Sequence, residues 1–257
     1  MYSMAKIIFL GTAASIPSKN RDNTSFLFIY KKDIILVDCP GSIVQKLIKL
    51  NIDFRKIKTI VLTHHHPDHI YGLYHLVHTQ ASFSKRLDIF CNQHTTNLLK
   101  KTIVLLKLNK RMFPKINYFN VFKKEFFYCK NDLKLKAVKN KHMPGSFGIK
   151  FIFKNKSLFY SSDTALSKSI LKEGFGCDYL IHDCTASSHF FKKHPSLYKM
   201  HTSALTLAKS FSAAKLKKII PIHFLIMEEQ EEKRIKKELK ILKDKLVIPR
   251  DFQALLL

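Results

Sequence analysis

Apolar and polar positions alternate at every second residue along much of the first two thirds of the chain. The runs "KIIFLG", "TSFLFIY", "DIILVDC", "TIVLTH", "LDIFC", "LKLKAVKN", "GIKFIF" and "SLFYSSD" are rich in β-branched and aromatic residues and are bounded by turn formers, which predicts strands. Helical spacing falls between and after them, in "SIVQKLIKLN", "HTTNLLKKTIVLLKLN", "SALTLAKSFSAAK" and "EEQEEKRIKKELKILKDKL". The last of these opens on Glu and closes on Lys, as the helix dipole favours, and places Ile235, Leu239, Leu242 and Leu246 on one face. Strands mixed with flanking helices predict a layered α/β sandwich. With no internal repeat, low-complexity linker or Gly/Pro-rich boundary, 257 residues are expected to form a single domain over 1–257.

A hydrophobic content of 46% excludes general disorder. The opening "MYSMAKIIFLGTAAS" has one Lys and an apolar run of only four residues, so no secretory segment is expected. Other apolar runs are broken by Lys, Pro or His before the roughly 18 residues that a membrane span needs. A soluble protein is therefore expected. Five cysteines without a C-x-x-C pair argue against a disulfide framework and against a separate thiolate zinc site, and a reducing cytoplasm fits best.

A net charge of +26 admits an anionic partner such as RNA. Against that, only six of the 45 basic residues are Arg, the usual choice for bidentate phosphate recognition. The excess of Lys, Ile, Asn and Phe with no Trp fits an AT-rich coding bias. The stretch "NKRMFPKINYFNVFKKEFFYCK" interleaves Lys with Phe and Tyr and could face RNA by stacking and charge. The favoured reading makes it two strands with Phe113, Phe122 and Phe127 in the core.

The chemistry concentrates in "IVLTHHHPDHIYGL", where four histidines and an aspartate fall within six positions. Imidazole and carboxylate are borderline ligands suited to Zn²⁺ and its neighbours, and the pattern runs Thr63, His64, His66, Asp68, His69. A strand ending at Thr63 and a turn at Pro67 can splay alternate side chains, so that one group serves two metals. A dinuclear site needs further ligands at other strand ends. His142 in "KNKHMPGSFGIKF", Asp163 in "LFYSSDTAL" and His223 in "KKIIPIHFL" supply them.

Together these motifs resemble the metallo-β-lactamase superfamily, within it the ribonuclease Z-like phosphodiesterase branch. The resemblance runs over nearly the whole chain and includes "FLGTAASIPSKNRDNTSFLF", "ILVDCPGSIVQKL", "LIHDCTAS" and "MHTSALTLA". It implies an α/β fold of four layers, αββα, with two mixed sheets. It further implies that His64, His66 and His142 hold one metal, that Asp68, His69 and His223 hold the second, and that Asp163 bridges. Two divalent ions follow, Zn²⁺ first, with Mn²⁺ and Fe²⁺ compatible. Asp38 resembles a carboxylate that orients a metal-bound His, and Asp183 takes the place of an acid that orients His201.

The implied function is metal-dependent phosphodiester hydrolysis by a metal-bridging hydroxide, with Asp68 steering the proton and His201 protonating the leaving oxygen. Only about twenty residues separate His142 from Asp163, too few for the tRNA-gripping arm of ribonuclease Z. That favours nucleotide or cyclic phosphate diesters as substrates. A tRNA 3′-processing endoribonuclease without the arm is the alternative, and a non-catalytic metal-binding sensor the third reading. Pro40, Gly41 and Ser42 replace the GEG element of ribonuclease Z. Members of this fold often dimerise, so a homodimer is compatible.

Overall fold

The computed structural model describes residues 4–257. In chain order, β1 (Lys6–Gly11), β2 (Ser25–Tyr30) and β3 (Asp33–Val37) lead into α1 (Ile43–Lys49). Next come β4 (Thr59–Val61), α2 (Pro67–Ile70), α3 (Gly72–Thr79), β5 (Arg86–Cys91), α4 (Gln93–Leu105) and β6 (Lys115–Asn120). The following strands are β7 (Tyr128–Lys130), β8 (Leu133–Lys139), β9 (Phe147–Phe153) and β10 (Lys156–Tyr160). The chain ends with α5 (Lys168–Phe175), β11 (Tyr179–Asp183), α6 (Ser188–Lys193), α7 (Ala204–Phe211), β12 (Lys218–Ile222), α8 (Glu229–Leu239) and β13 (Ala254–Leu256).

Two mixed sheets result, one ordered β13-β1-β2-β3-β4-β5-β6 and the other β12-β11-β10-β9-β8-β7. Their facing sides share an aromatic core in which Phe28 packs tilted by 32° against Phe151 at 4.5 Å and Phe26 meets Tyr160 edge-on at 5.0 Å. Each such fully buried ring contributes about 1.5–3 kcal/mol. The outer face of the first sheet is covered by α1, α3 and α4 through Leu47, Leu73 and Leu99, and that of the second by α5, α7 and α8 through Ile170, Phe211 and Ile235. The layers are therefore αββα, as expected. No helix among the described residues is long and apolar enough to cross a membrane.

Direction within the sheets positions the site. Strands β3 to β6 run parallel, as do β10, β11 and β12. In such sheets, ligands bind outside the carboxyl ends of the strands, and here the chemistry-bearing residues follow β3, β4, β10, β11 and β12. Between His142 and Asp163 the chain makes only the β9–β10 hairpin, so the arm is absent as the sequence indicates.

Three features differ from the sequence reading. Phe122 is 38% exposed: it follows β6, the edge strand of its sheet, and meets Phe147 edge-on at 5.7 Å with the Lys139 ammonium 5.8 Å over its ring. Phe113 and Phe127 do pack partly buried against the cores. The charged segment after Glu228 is α-helical only to Leu239, because Leu246 and Val247 must reach β12, where Val247 donates to the Ile219 carbonyl at 2.9 Å. Finally, β13 pairs with β1 and is preceded by too little alternation to be foreseen.

Candidate metal centre

Three residues just beyond strand ends adopt left-handed backbone conformations although none is glycine: Asp38 (φ 57°), Ser162 (φ 53°) and His223 (φ 67°). This geometry is costly for a side-chain-bearing residue and collects at functional sites. Here it turns the chain sharply at the ends of β3, β10 and β12. The Asp38 turn is locked from α2 and α3, since Cys39 N–H donates to the His69 carbonyl at 2.7 Å and Gly72 N–H to the Cys39 carbonyl at 2.9 Å. A Cβ on Gly72 would fall 1.8 Å from the Pro40 carbonyl oxygen, so only glycine allows this approach.

Five histidines are oriented in the same manner, each giving Nδ1–H to a scaffold oxygen. His69 donates to Asp38 at 2.9 Å, His142 to the Met200 carbonyl at 3.0 Å, and His201 to Asp183 at 2.9 Å. Thr63 Oγ1 donates to Asp38, which leaves it as an acceptor for His64 Nδ1 at 3.1 Å. Thr185 Oγ1 donates to Asp183 at 2.7 Å and accepts from His223 Nδ1 at 3.2 Å. In every case this turns Nε2 toward the site, and for a metal ligand it is the arrangement in which an outer oxygen orients the imidazole.

Those nitrogens converge. His64 Nε2 and His142 Nε2 lie 3.1 and 3.0 Å from His66 Nδ1. Asp163 Oδ2 sits 2.9 Å from His223 Nε2, 3.4 Å from His69 Nε2, 3.8 Å from His64 Nε2 and 3.9 Å from His142 Nε2. Asp68 Oδ2 stands 3.6 Å from His69 Nε2 and 3.9 Å from His223 Nε2. All seven residues proposed from sequence as ligands are thus brought to one place, and His201 joins them with its ring stacked on His223 at 5.3 Å.

The two halves differ electrically. Burial holds the imidazole of His142 down to about 4, against the pull of Asp163, and drives that of His64 well below its usual range, so these rings are neutral with lone pairs available. In the other half burial is outweighed: Asp163 and Asp68 lift His223 to about 10, and Asp163 with Asp38 lifts His69 well above the usual range. Burial likewise pushes the carboxyls up, yet His223 and His69 hold Asp68 down to about 2 and Asp163 well below its ordinary value. One half offers neutral donors, and the other pairs two ionised carboxylates with the two imidazoles they hold protonated.

A divalent cation fits this set on independent grounds. Buried His69 Nε2, His223 Nε2 and Asp163 Oδ1 find no hydrogen-bond partner among the described residues, and the 2.9 Å approach of His223 to Asp163 lacks hydrogen-bond alignment. Orphaned buried polar atoms are rare unless something else satisfies them. Imidazole and carboxylate together suit an ion such as Zn²⁺.

Asp38 accepts from Thr63 N–H, Thr63 Oγ1, His69 Nδ1 and Tyr160 Oη, the last at 3.3 Å. Asp38→Asn is expected to weaken metal binding about 10–100-fold, read by competition with a chromophoric chelator. Unchanged affinity would reduce Asp38 to a holder of the turn. The sequence reading missed Thr63 and Thr185 as relays, Met200 as a carbonyl acceptor and Tyr160 as a donor. Ser203 caps α7, accepting from Thr206 N–H, while Thr202 donates to the Thr164 carbonyl at 2.7 Å. His65 lies outside the cluster, 3.4 Å from Thr95 Oγ1.

Comparison with known proteins places this geometry. The chain is 32% identical over 155 residues to Ribonuclease Z of Methanocaldococcus jannaschii, a match that covers 58% of this chain and 47%, about half, of that relative. The metallo-β-lactamase fold protein YhfI from Bacillus subtilis superposes with a TM-score of 0.80 at 17% identity, covering 99% of both chains. A diphosphatase of the PhnP family superposes with a TM-score of 0.75 at 18% identity, covering 98% of this chain and 97% of the other. The fold is the metallo-β-lactamase fold, and because the family model described as "Anti-Pycsar protein Apyc1" matches residues 5–244, the chain belongs to that family.

Proposed function

We propose that the protein is a metal-dependent phosphodiester hydrolase acting on nucleotide or cyclic phosphate diesters. The observation that carries this is Asp163 Oδ2, set within 4 Å of four imidazole nitrogens from both halves of the cluster. His64, His66 and His142 would hold one ion, Asp68, His69 and His223 a second, and Asp163 would be shared. Zinc suits this donor set best. Bound there, such ions lower the pKa of water and neutralise charge on phosphoryl oxygens.

The chain's own groups supply the rest. Asp68, with its side chain 12% exposed, stays ionised and can accept a proton at the mouth of the cluster. Across from it, His201 carries its Nδ1 proton against Asp183, which fixes the ring so that Nε2 can deliver a proton to the departing oxygen. Asp183 is itself held by Thr164 N–H at 2.9 Å and Thr185 Oγ1 at 2.7 Å, so the donor cannot swing away.

The short β9–β10 hairpin favours small diesters over a folded RNA. A second reading, cleavage of precursor tRNA, is supported by the net charge of +26 and by the relative named Ribonuclease Z. One experiment separates the two: metal-loaded protein is given 3′,5′-cyclic nucleotides, a chromogenic small diester and a labelled 3′-extended precursor tRNA. Asp68→Ala and a chelated sample serve as blanks. Chelator-sensitive hydrolysis of the small diesters alone is the expected result. Discrete tRNA cutting would establish the second reading, and no hydrolysis of any ester by metal-loaded protein would leave the sensor reading.

A further inference from the structure

Outside the cluster, a polar network joins three distant segments behind His223. Arg21 Nη1 donates to Thr12 Oγ1 at 2.6 Å and to the Pro249 carbonyl at 2.7 Å. Thr12 Oγ1 in turn donates to Asp251 Oδ1 at 2.7 Å, and Asp251 Oδ2 accepts from Asp22 N–H at 2.7 Å. The guanidinium lies 4.8 Å above the ring of Phe224, which is almost fully buried. Phe224 is clamped on both sides by the same loop, its N–H on the Thr12 carbonyl and its C=O accepting from Ala14 N–H, each at 2.9 Å.

This clamp holds the residue that immediately follows His223. His223 itself sits at φ 67°, a conformation that persists only where the surroundings over-determine it. Leu225 N–H on the Thr185 carbonyl at 2.7 Å fixes the far side of the turn, and the loop from Thr12 to Thr24 fixes the near side. That loop has little freedom of its own. Asn23 donates to the Ala14 carbonyl at 2.6 Å, and a Cβ on Gly11 would fall 1.9 Å from the Asn23 carbonyl oxygen. What seats the loop against the C-terminal segment is Arg21 with Asp251.

We propose that Arg21, anchored by Thr12 and the C-terminal segment Pro249–Asp251, is a positioning residue for His223 and thereby tunes the half of the metal centre built from Asp68, His69 and His223. Both oxygens accept from the one nitrogen Nη1 while the guanidinium carbon lies over Phe224, and a delocalised guanidinium suits an aromatic face better than a compact, strongly hydrated ammonium. Arg21 touches no ligand and acts only through the backbone of Thr12 and Phe224. The inference rests on the dinuclear reading above.

The test uses full-length protein titrated with Co²⁺, following stoichiometry and the visible spectrum, with circular dichroism and thermal melting alongside. In Arg21→Met and Arg21→Lys the first ion should bind as in the wild type, while the second binds about 10–100-fold more weakly with an altered spectrum. If Arg21→Met does not fold, Thr12→Val, which removes one hydroxyl at nearly constant volume, should show the same selective loss. Two ions bound with wild-type affinity and spectrum in a folded variant would overturn the proposal. So would equal weakening of both ions, which would mark a general structural role. A wild-type protein that takes up only one ion would instead sink the dinuclear reading, before any variant is compared.

Discussion

His201→Ala is expected to lower turnover of a small phosphodiester by about 10²–10⁴-fold, the range for loss of a positioned general acid, with metal content unchanged. The geometry separates the two effects. His201 shares clusters with His142, Asp163, Asp183 and His223, but its Nδ1 is committed to Asp183 and its ring stacks on His223 without replacing any of the seven donors. The variant leaves Asp183 with its Thr164 and Thr185 donors, so the scaffold behind His223 survives. Elemental analysis beside steady-state kinetics checks the prediction. If metal is lost together with turnover, His201 is a ligand. If a substrate with a leaving group that needs no proton is hit as hard as an alkyl diester, the general-acid role fails.

Asp163→Ala should act differently and more severely. Removing that carboxylate takes away the one oxygen that approaches both halves of the cluster, so affinity should drop for every bound ion. The loss should exceed the roughly 10–100-fold typical of an orienting partner, and hydrolysis should fall to the chelated background. The turn itself does not depend on the side chain, because Asn140 Nδ2 bonds the Ser161 and Asp163 carbonyls at 3.0 Å each and Ala165 N–H bonds the Lys141 carbonyl at 2.9 Å. A folded variant is therefore expected, checked by circular dichroism, with metal measured by equilibrium dialysis. Retention of a full complement of ions would remove Asp163 from the bridging position.

The candidate site was legible because its donors are residues whose chemistry is rare at strand ends. Four histidines and an aspartate in one turn cannot all serve packing, and His142, Asp163 and His223 each follow an apolar run that reads as a strand. What orients those donors was not legible. Thr63 and Thr185 act through hydroxyls and Met200 through a backbone carbonyl, groups so common that no pattern singles them out. The left-handed turns at Asp38, Ser162 and His223 were equally hidden, since glycine, the usual signal for such a turn, is absent from all three. Phe122 was misplaced for a related reason: alternation tells which face a residue takes, while exposure at a sheet edge depends on which strand ends up outermost.

The donors also divide between the layers. His64, His66, Asp68 and His69 hang from the end of β4 in the first sheet, whereas His142, Asp163 and His223 follow strands of the second. An ion held by both sets is then a rivet through the sandwich, fastening at its polar rim two slabs that otherwise adhere by their greasy inner faces. Resistance to prying the slabs apart becomes a function of free-ion concentration by mass action, so the supply of metal would govern the lifetime of the fold as well as the chemistry it performs.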